Sequence, residues 1–235
     1  MSELLKINNL KGGYNKGVDI LQGISMEIQE GDVIGIIGLN GSGKSTLGKA
    51  IMNMIPIRRG DIYFKGEDIS SLSTNQLLHC GISLMQQGGK VFPNLSIWDN
   101  MQLAISSKNI KRNDISSVFD IIPLLQHSKK ELQNVMADKL SGGQKHQLSL
   151  AMSLASLPQL IILDEPSAGL SPRAVEDLFA LLQTIRKQHN LTIILIEQNV
   201  NKAIDFCNTC HVISCGKVIN NSIKKISDYK TLLFD

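Results

Sequence analysis

Four cysteines in 235 residues are too few for the disulfide framework on which small secreted domains depend. Aromatic residues are scarce at 4%, and no apolar run reaches the roughly 18 residues that would cross a bilayer as a helix. The longest candidate, Leu148 to Leu163, is broken by Ser149, Ser153, Ser156, Pro158 and Gln159. The opening Met-Ser-Glu-Leu-Leu-Lys lacks the basic and apolar regions of an export signal. The expectation is a soluble, cytoplasmic chain that reaches membranes only through partners. Neither sign of charge dominates: 24 Lys and Arg face 21 Asp and Glu. The basic residues are scattered, so there is no electrostatic footprint for nucleic acid. Internal repeats and low-complexity segments are missing too, and 43% hydrophobic residues exclude a disordered chain. A chain of this length buries roughly 70–75% of its unfolded surface, enough for a core without covalent staples.

What is present is an alternation of strand and helix patterns. Leu4–Leu10 and Ile20–Ile28 read as strands, separated by a Gly12-Gly13 turn and Gly17. Val33–Ile37 is short, apolar and β-branched, as a strand covered on both faces is. A glycine-rich loop over 38–43 follows, then a helix from about Lys44 to Met54 that Pro56 stops. Residues 60–69 alternate as a hairpin arm. From 72 to 135 the pattern shifts to short helical stretches, a Gly88-Gly89 break, Pro93 and the polar run Ser106–Asn113. This reads as a smaller, mostly helical insertion between the main-body segments 1–71 and 136–235. A helix over 142–157, strand Leu160–Leu163 and a helix from Arg173 to about Gln188 come next. Ser171 is placed to cap that last helix, Pro172 suits its first position, and Val175, Leu178, Leu182 and Ile185 share one face. Strand Leu191–Ile196, a helix over 199–207 and a strand pair around 211–220 close the pattern. Such alternation predicts an α/β fold with right-handed crossovers.

Three motifs carry chemistry. Gly38-Leu39-Asn40-Gly41-Ser42-Gly43-Lys44-Ser45-Thr46 fits the phosphate-loop pattern G-x-x-x-x-G-K-[ST]. Its glycines let the backbone curl until successive amides point at phosphate oxygens, and the following helix offers its positive end to the same anion. Gly38, Asn40, Gly41, Ser42, Gly43, Lys44, Ser45 and Thr46 are the candidate nucleotide ligands. Among them Lys44 reaches the β- and γ-phosphates and the Ser45 hydroxyl takes Mg²⁺. Next, Leu160-Ile161-Ile162-Leu163-Asp164-Glu165 is an apolar strand ending in two carboxylates, at the end where open α/β sheets bind ligands. Asp164 is suited to hold Mg²⁺ through its water shell, and Glu165 to polarise the water that attacks the γ-phosphate. Third, Leu140-Ser141-Gly142-Gly143-Gln144 opens another helix with two unencumbered glycine amides beside a serine. A single compact site has no use for two anion-binding helix starts, whereas two chains packed head to tail do. On that reading Ser141, Gly142, Gly143 and Gln144 complete the γ-phosphate pocket of the opposite chain.

Together these residues resemble the nucleotide-binding subunit of ATP-binding cassette (ABC) transporters, and the resemblance spans nearly the whole chain. It implies a phosphate-loop ATPase core with an N-terminal antiparallel β portion and a helical subdomain insertion at about 72–135. It also implies ATP and Mg²⁺ as cofactors. Tyr14 stands where the family has an aromatic that stacks on adenine; an exposed turn tyrosine is the alternative. Gln87 fits the glutamine that links Mg²⁺ and the attacking water to the helical subdomain, with Gln86 as the competing choice. Ser167-Ala168-Gly169-Leu170-Ser171 occupies the loop that crosses to the other subunit, but lacks the aspartate usual there. Gln198 takes the place of the family's γ-phosphate histidine; its amide still donates a hydrogen bond but carries no positive charge.

Glu197-Gln198-Asn199, Val91-Phe92-Pro93-Asn94-Leu95-Ser96 and the 165–172 segment are similar to the subfamily serving branched-chain amino acid import. Its implied partners are a second ATPase subunit, identical or different, two transmembrane permease subunits and a periplasmic or extracellular solute-binding protein, with no nucleic acid. The chain would then sit peripherally on the inner face of the membrane. Urea importers carry similar motifs, and an ABC ATPase uncoupled from transport or a nucleotide module without turnover are further alternatives. Repair relatives insert a long coiled coil between the glycine loop and the signature, whereas Leu140 stands only 96 positions after Lys44. Phe92, Trp98 and Met101 read either as subdomain core or as a surface receiving a cytoplasmic helix of the membrane subunit. Cys207-Asn208-Thr209-Cys210-His211 matches a haem-attachment pattern, and with Cys215 loosely a zinc set. Without an export signal the expected role of these cysteines is structural.

Overall fold

The structure is a computed structural model describing residues 2–106, 116–225, 227 and 229. Of the polar run Ser106–Asn113, only Ser106 falls among them. Strands β1 (Glu3–Gly13), β2 (Leu21–Gln29) and β3 (Val33–Ile37) lead into α1 (Lys44–Ile51), β4 (Ile57–Phe64) and the short β5 (Glu67–Asp68). Then come α2 (Thr74–Cys80), β6 (Ile82–Met85), α3 (Ile97–Ser106), α4 (Ser116–Ile121), α5 (Lys129–Asn134) and α6 (Gly142–Leu154). The described elements end with β7 (Leu160–Asp164), α7 (Pro172–His189), β8 (Thr192–Ile196), α8 (Val200–Phe206), β9 (Thr209–Ser214) and β10 (Lys217–Ile223). They divide into two units, one of Met1–Leu77 with Thr192–Asp235 and one of Leu78–Leu191.

In the first unit, β2-β1-β4-β5 form an antiparallel sheet, and β10-β9-β3-β8 lie side by side. β3 runs parallel to both neighbours, with Gly35 opposite Leu195 and Cys210. All five residues of β3 and of β8 are buried, which is why their sequences read as unbroken apolar runs. Burying each Ile or Val side chain contributes about 1.5–3 kcal/mol. Gly12 and Gly13 do not make the turn expected of them. They finish β1, where Gly12 pairs with Leu21 on one side and Arg58 on the other. A Cβ on Gly12 would lie 2.3 Å from the Ile57 carbonyl, so the glycine serves the close approach of two strands. The turn itself follows, closed by the Asn15–Val18 bridge. Cys215 and Gly216, both with positive φ, join β9 to β10 as a two-residue hairpin turn of the primed kind requires.

In the second unit β6 pairs in parallel with β7, Ile82 opposite Leu160 and Met85 opposite Leu163. β6 lies inside the stretch read as helical: four residues carry too little periodicity to distinguish strand from helix. The Gly81 carbonyl, accepting from the amides of Gln159 and Leu160, aligns the two strands. Trp98 and Met101 of α3 are buried, whereas Phe92 is 51% exposed. Trp98 packs against Phe119 with ring centroids 6.2 Å apart, and the Lys129 ammonium sits 4.8 Å from the Trp98 ring. α6 stops at Leu154, three residues short of the expected end, because Leu157 turns left-handed ahead of Pro158. α1 likewise ends at Ile51, with Asn53 left-handed before Pro56. α7 starts as its sequence predicts, the Ser171 hydroxyl accepting from the Ala174 amide and Pro172 following it. Its buried face holds Leu178, Phe179, Leu182 and Ile185.

Candidate functional site

The two units each carry functional residues, and the first carries the glycine loop. β3 ends at Ile37, and Gly38 turns the chain at φ 152°, where a Cβ would lie 2.2 Å from the Ile213 carbonyl. The loop closes at Gly43, the N-cap of α1, which is left-handed and offers no side-chain cap. Gly43 thus offers the first-turn amides of α1 no cap of its own, at the positive end of the helix dipole. Beside them the Ser42 hydroxyl is 6% exposed and has no hydrogen-bond partner. An orphaned buried hydroxyl costs about 1–3 kcal/mol, a cost that a phosphate oxygen would remove. Lys44 is buried, and its ammonium donates to the carbonyls of Gly38 and Leu39, both at 2.9 Å. It thereby holds the loop curled. Asn40 and Gly41 are exposed at the loop crest, Ser45 is half-buried and Thr46 is buried. Such a loop fits the triphosphate it was read to hold.

Tyr14, just past β1, is 42% exposed, so its ring is available for stacking. Gln198 follows β8 and is exposed, its backbone amide donating to the buried Glu197 carboxylate at 3.2 Å. Cys210 and His211 point to opposite sides of β9 by the alternation of a strand, and Cys215 lies exposed in the hairpin turn. Among the described residues no three His, Cys, Asp or Glu side chains gather as a metal site.

The second unit carries the carboxylates. β7 is buried along its length and delivers Asp164, also buried, and then Glu165, 6% exposed. Glu165 is left-handed at φ 47°, a conformation costing a residue with a Cβ about 1–2 kcal/mol. Its carboxylate accepts a hydrogen bond from the Gln87 side-chain amide at 2.6 Å. The neighbouring Gln86 instead lines an open groove of about 230 Å³ with Leu78, Ser83, Lys90, Met152 and Ser153. Downstream, the Ala168 amide donates to the Glu165 carbonyl and the Leu170 amide to that of Ser167, carrying the chain to Ser171.

Ser141 caps α6 in both directions. Its hydroxyl accepts from the Gln144 amide at 3.3 Å, and the Gln144 side chain accepts from the Ser141 amide at 2.9 Å. Ser141, Gly142 and Gln144 are exposed, and a Cβ on Gly142 would meet no atom within 4 Å. One participant escaped the sequence reading. His146 Nδ1 lies 2.9 Å from the Gly142 carbonyl, and since a carbonyl only accepts, Nδ1 carries the proton. The same ring packs against Gly89, so it spans from the start of α6 to the loop after Gln87. The signal was present, because a histidine four residues into a helix reaches the first-turn carbonyl.

The family model described as ABC transporter matches residues 21–168. The chain belongs to the ABC transporter family. It is 32% identical over 220 residues to a probable branched-chain amino acid transport ATP-binding protein of Archaeoglobus fulgidus, covering 93% of this chain and 91% of that one. With the high-affinity branched-chain amino acid transport ATP-binding protein BraG of Pseudomonas aeruginosa it shares 28% identity, at 92% and 91% coverage. The lipopolysaccharide export ATP-binding protein LptB of Escherichia coli is also 28% identical, at 92% and 88%. Among solved structures, a nucleotide-free ATP-binding cassette from an ABC transporter superposes with TM-score 0.83 at 25% identity, covering 99% of this chain and 96% of that one. The ADP conformation of the cassette MJ1267 gives 0.80 at 26%, covering 100% and 96%. The ABC chain described here is thus an ATP-binding, ATP-hydrolysing transporter subunit with the α/β cassette fold. No described helix is long and apolar enough to cross a membrane.

Proposed function

We propose that this ABC ATPase energises an importer of branched-chain amino acids, working as one of a pair of ATPase subunits beneath two permease subunits on the inner face of the membrane. The observation that carries the nucleotide role is the uncapped start of α1 beside the buried, unpartnered Ser42 hydroxyl. The solute is inferred from the two branched-chain relatives and from the Glu197-Gln198-Asn199 form of the segment after β8. The similar likeness to a lipopolysaccharide exporter makes the solute the point to test.

In this reading Tyr14 stacks on the base, and Gly38, Asn40, Gly41, Ser42, Gly43 and Thr46 bind the phosphates with backbone amides and hydroxyls. Lys44 exchanges its loop carbonyls for β- and γ-phosphate oxygens, a stronger partner for an ammonium. Ser45, Asp164 and Gln87 supply the oxygen donors a hard cation takes, and Mg²⁺, when bound, neutralises charge on the phosphate oxygens. Glu165 accepts a proton from the attacking water. Gln198 donates its amide to the γ-phosphate. Ser141, Gly142, Gly143 and Gln144 of one subunit engage the nucleotide held by the other. Residues about 72–135 act as the helical subdomain that transmits the change to the permeases, with exposed Phe92 on the surface that meets them.

Affinity purification from native membranes, followed by reconstitution with the co-purifying subunits, tests this. Leucine-loaded binding protein should stimulate ATP hydrolysis and drive leucine uptake. Co-purification with subunits that take urea or another solute would replace the solute assignment, and the absence of any membrane subunit would overturn the transport role.

A further inference from the structure

We propose that Cys207 and Cys210 form an oxidisable dithiol, a modification site at which a peroxide-class oxidant makes an intramolecular disulfide next to the strand that enters the phosphate loop. Cys207 is the C-cap of α8, and Cys210 is the second residue of β9. Both sulfurs gather over one backbone position of β3. A Cβ on Gly35 would lie 2.5 Å from the Cys210 sulfur and 3.2 Å from that of Cys207. Any larger residue at 35 would expel one of them. Cys210 is fully buried, in a cluster with Ile37, Ala203 and Val212, and Cys207 packs at its edge with partial exposure.

The two thiols hydrogen-bond to each other. Cys207 donates, and this holds the Cys210 thiol below its usual pKa despite the opposing effect of burial. The pair thus gives up one proton more readily than an isolated cysteine, and the proton that remains bridges the sulfurs. Cys80 and Cys215 are exposed thiols, and neither comes within the three closest atoms to the Gly35 position.

The chemistry balances without a further reactant. Solvent reaches Cys207, and when the shared proton moves to the Cys210 sulfur the thiolate left on Cys207 attacks one peroxide oxygen; the O–O bond breaks, and hydroxide leaves to be protonated to water. The resulting sulfenic acid on Cys207 is attacked by the Cys210 sulfur. The S–S bond forms, the S–O bond breaks, and a second water departs with the last thiol proton. The two sulfurs lose two electrons and the peroxide oxygens gain them. The bond ties the end of α8 to β9, and α8 begins two residues after Gln198, just past its cap Asn199, so oxidation restrains the segment that carries Gln198. The pairing stands on the thiol geometry and not on the identity of the transported solute.

The test uses the full chain with Cys80→Ser and Cys215→Ser, treated with stoichiometric hydrogen peroxide. The expected result is a loss of about 2 Da in intact mass, disappearance of both remaining thiols on denatured titration, and full reversal by dithiothreitol. Adding Cys207→Ser should abolish the mass loss. Should the double serine variant not fold, peptide mapping of the oxidised native chain reads the same Cys207–Cys210 link. A gain of about 32 Da, the mark of sulfinic acid, or retention of both thiols after Cys80 of the native chain has reacted, would overturn the proposal.

Discussion

α1 and α6 both start beside glycines in motifs proposed to meet phosphate, yet their N-caps are built in opposite ways. α1 begins at a left-handed glycine that supplies no side-chain cap, next to an orphaned serine hydroxyl. α6 begins at a serine whose hydroxyl and amide are both engaged with Gln144. One start takes no cap from its own N-cap residue; the other has its third amide satisfied and keeps the Ser141 O–H as a donor. A ligand arriving at α6 finds one amide already served, so its net gain there is smaller. The contrast suits a division of labour in which each chain takes up nucleotide at α1, and α6 engages only when a second chain brings its own nucleotide to it.

The largest effect expected is from Glu165→Gln, which leaves α1 intact while removing the proposed base. Turnover of the assembled complex should fall by about 10²–10⁴-fold with nucleotide affinity retained, measured by steady-state hydrolysis and equilibrium binding. Unchanged turnover would remove Glu165 from the role of base. Ser42→Ala and Ser141→Ala then test the contrast directly, because their signs should differ. Ser42→Ala removes a buried hydroxyl without a partner, so the nucleotide-free chain should gain about 1–3 kcal/mol in chemical denaturation while losing affinity for ATP. Ser141→Ala deletes a satisfied cap and should cost about 1 kcal/mol, with ATP affinity of the single chain unchanged. If both serines shifted stability the same way, the two helix starts would not differ as described.

The smallest effect is a dependence on pH. Burial holds the His211 imidazole below its ordinary pKa, so the unfolded chain binds a proton more readily than the folded one. Its stabilising contribution is full above the unfolded value, near 6.5, and is lost as pH falls below it. Thermal unfolding at pH 7.5 and pH 5.5 should show this loss, and His211→Leu should flatten it.

Much of the fold was legible because its signals are local. Short apolar runs marked β3, β7 and β8, and Ser171-Pro172 marked the start of α7. The cassette fold was implied by the resemblance that the three motifs carry, and the family match agrees with it. What escaped depends on contacts between distant residues. Gly12 looks like a turn until β4 is seen beside it, and β6 is too short to announce itself. Gln86 and Gln87 are indistinguishable in a loop, and only the fold reveals which of them meets Glu165, 78 positions later. His146 and the two cysteines over Gly35 likewise need tertiary neighbours to acquire meaning.

The bond between Gln87 and Glu165 bears on how the motor would be tuned. The Gln87 amide nitrogen engages one carboxylate oxygen, and a carboxylate has lone pairs enough to take a proton as well. With Glu165 as the proposed base and Gln87 as a proposed cation ligand, the nitrogen of one side chain steadies the base while its carbonyl oxygen stays available to the metal. A shift of the stretch bearing Gln87 would then reach both partners in one stroke.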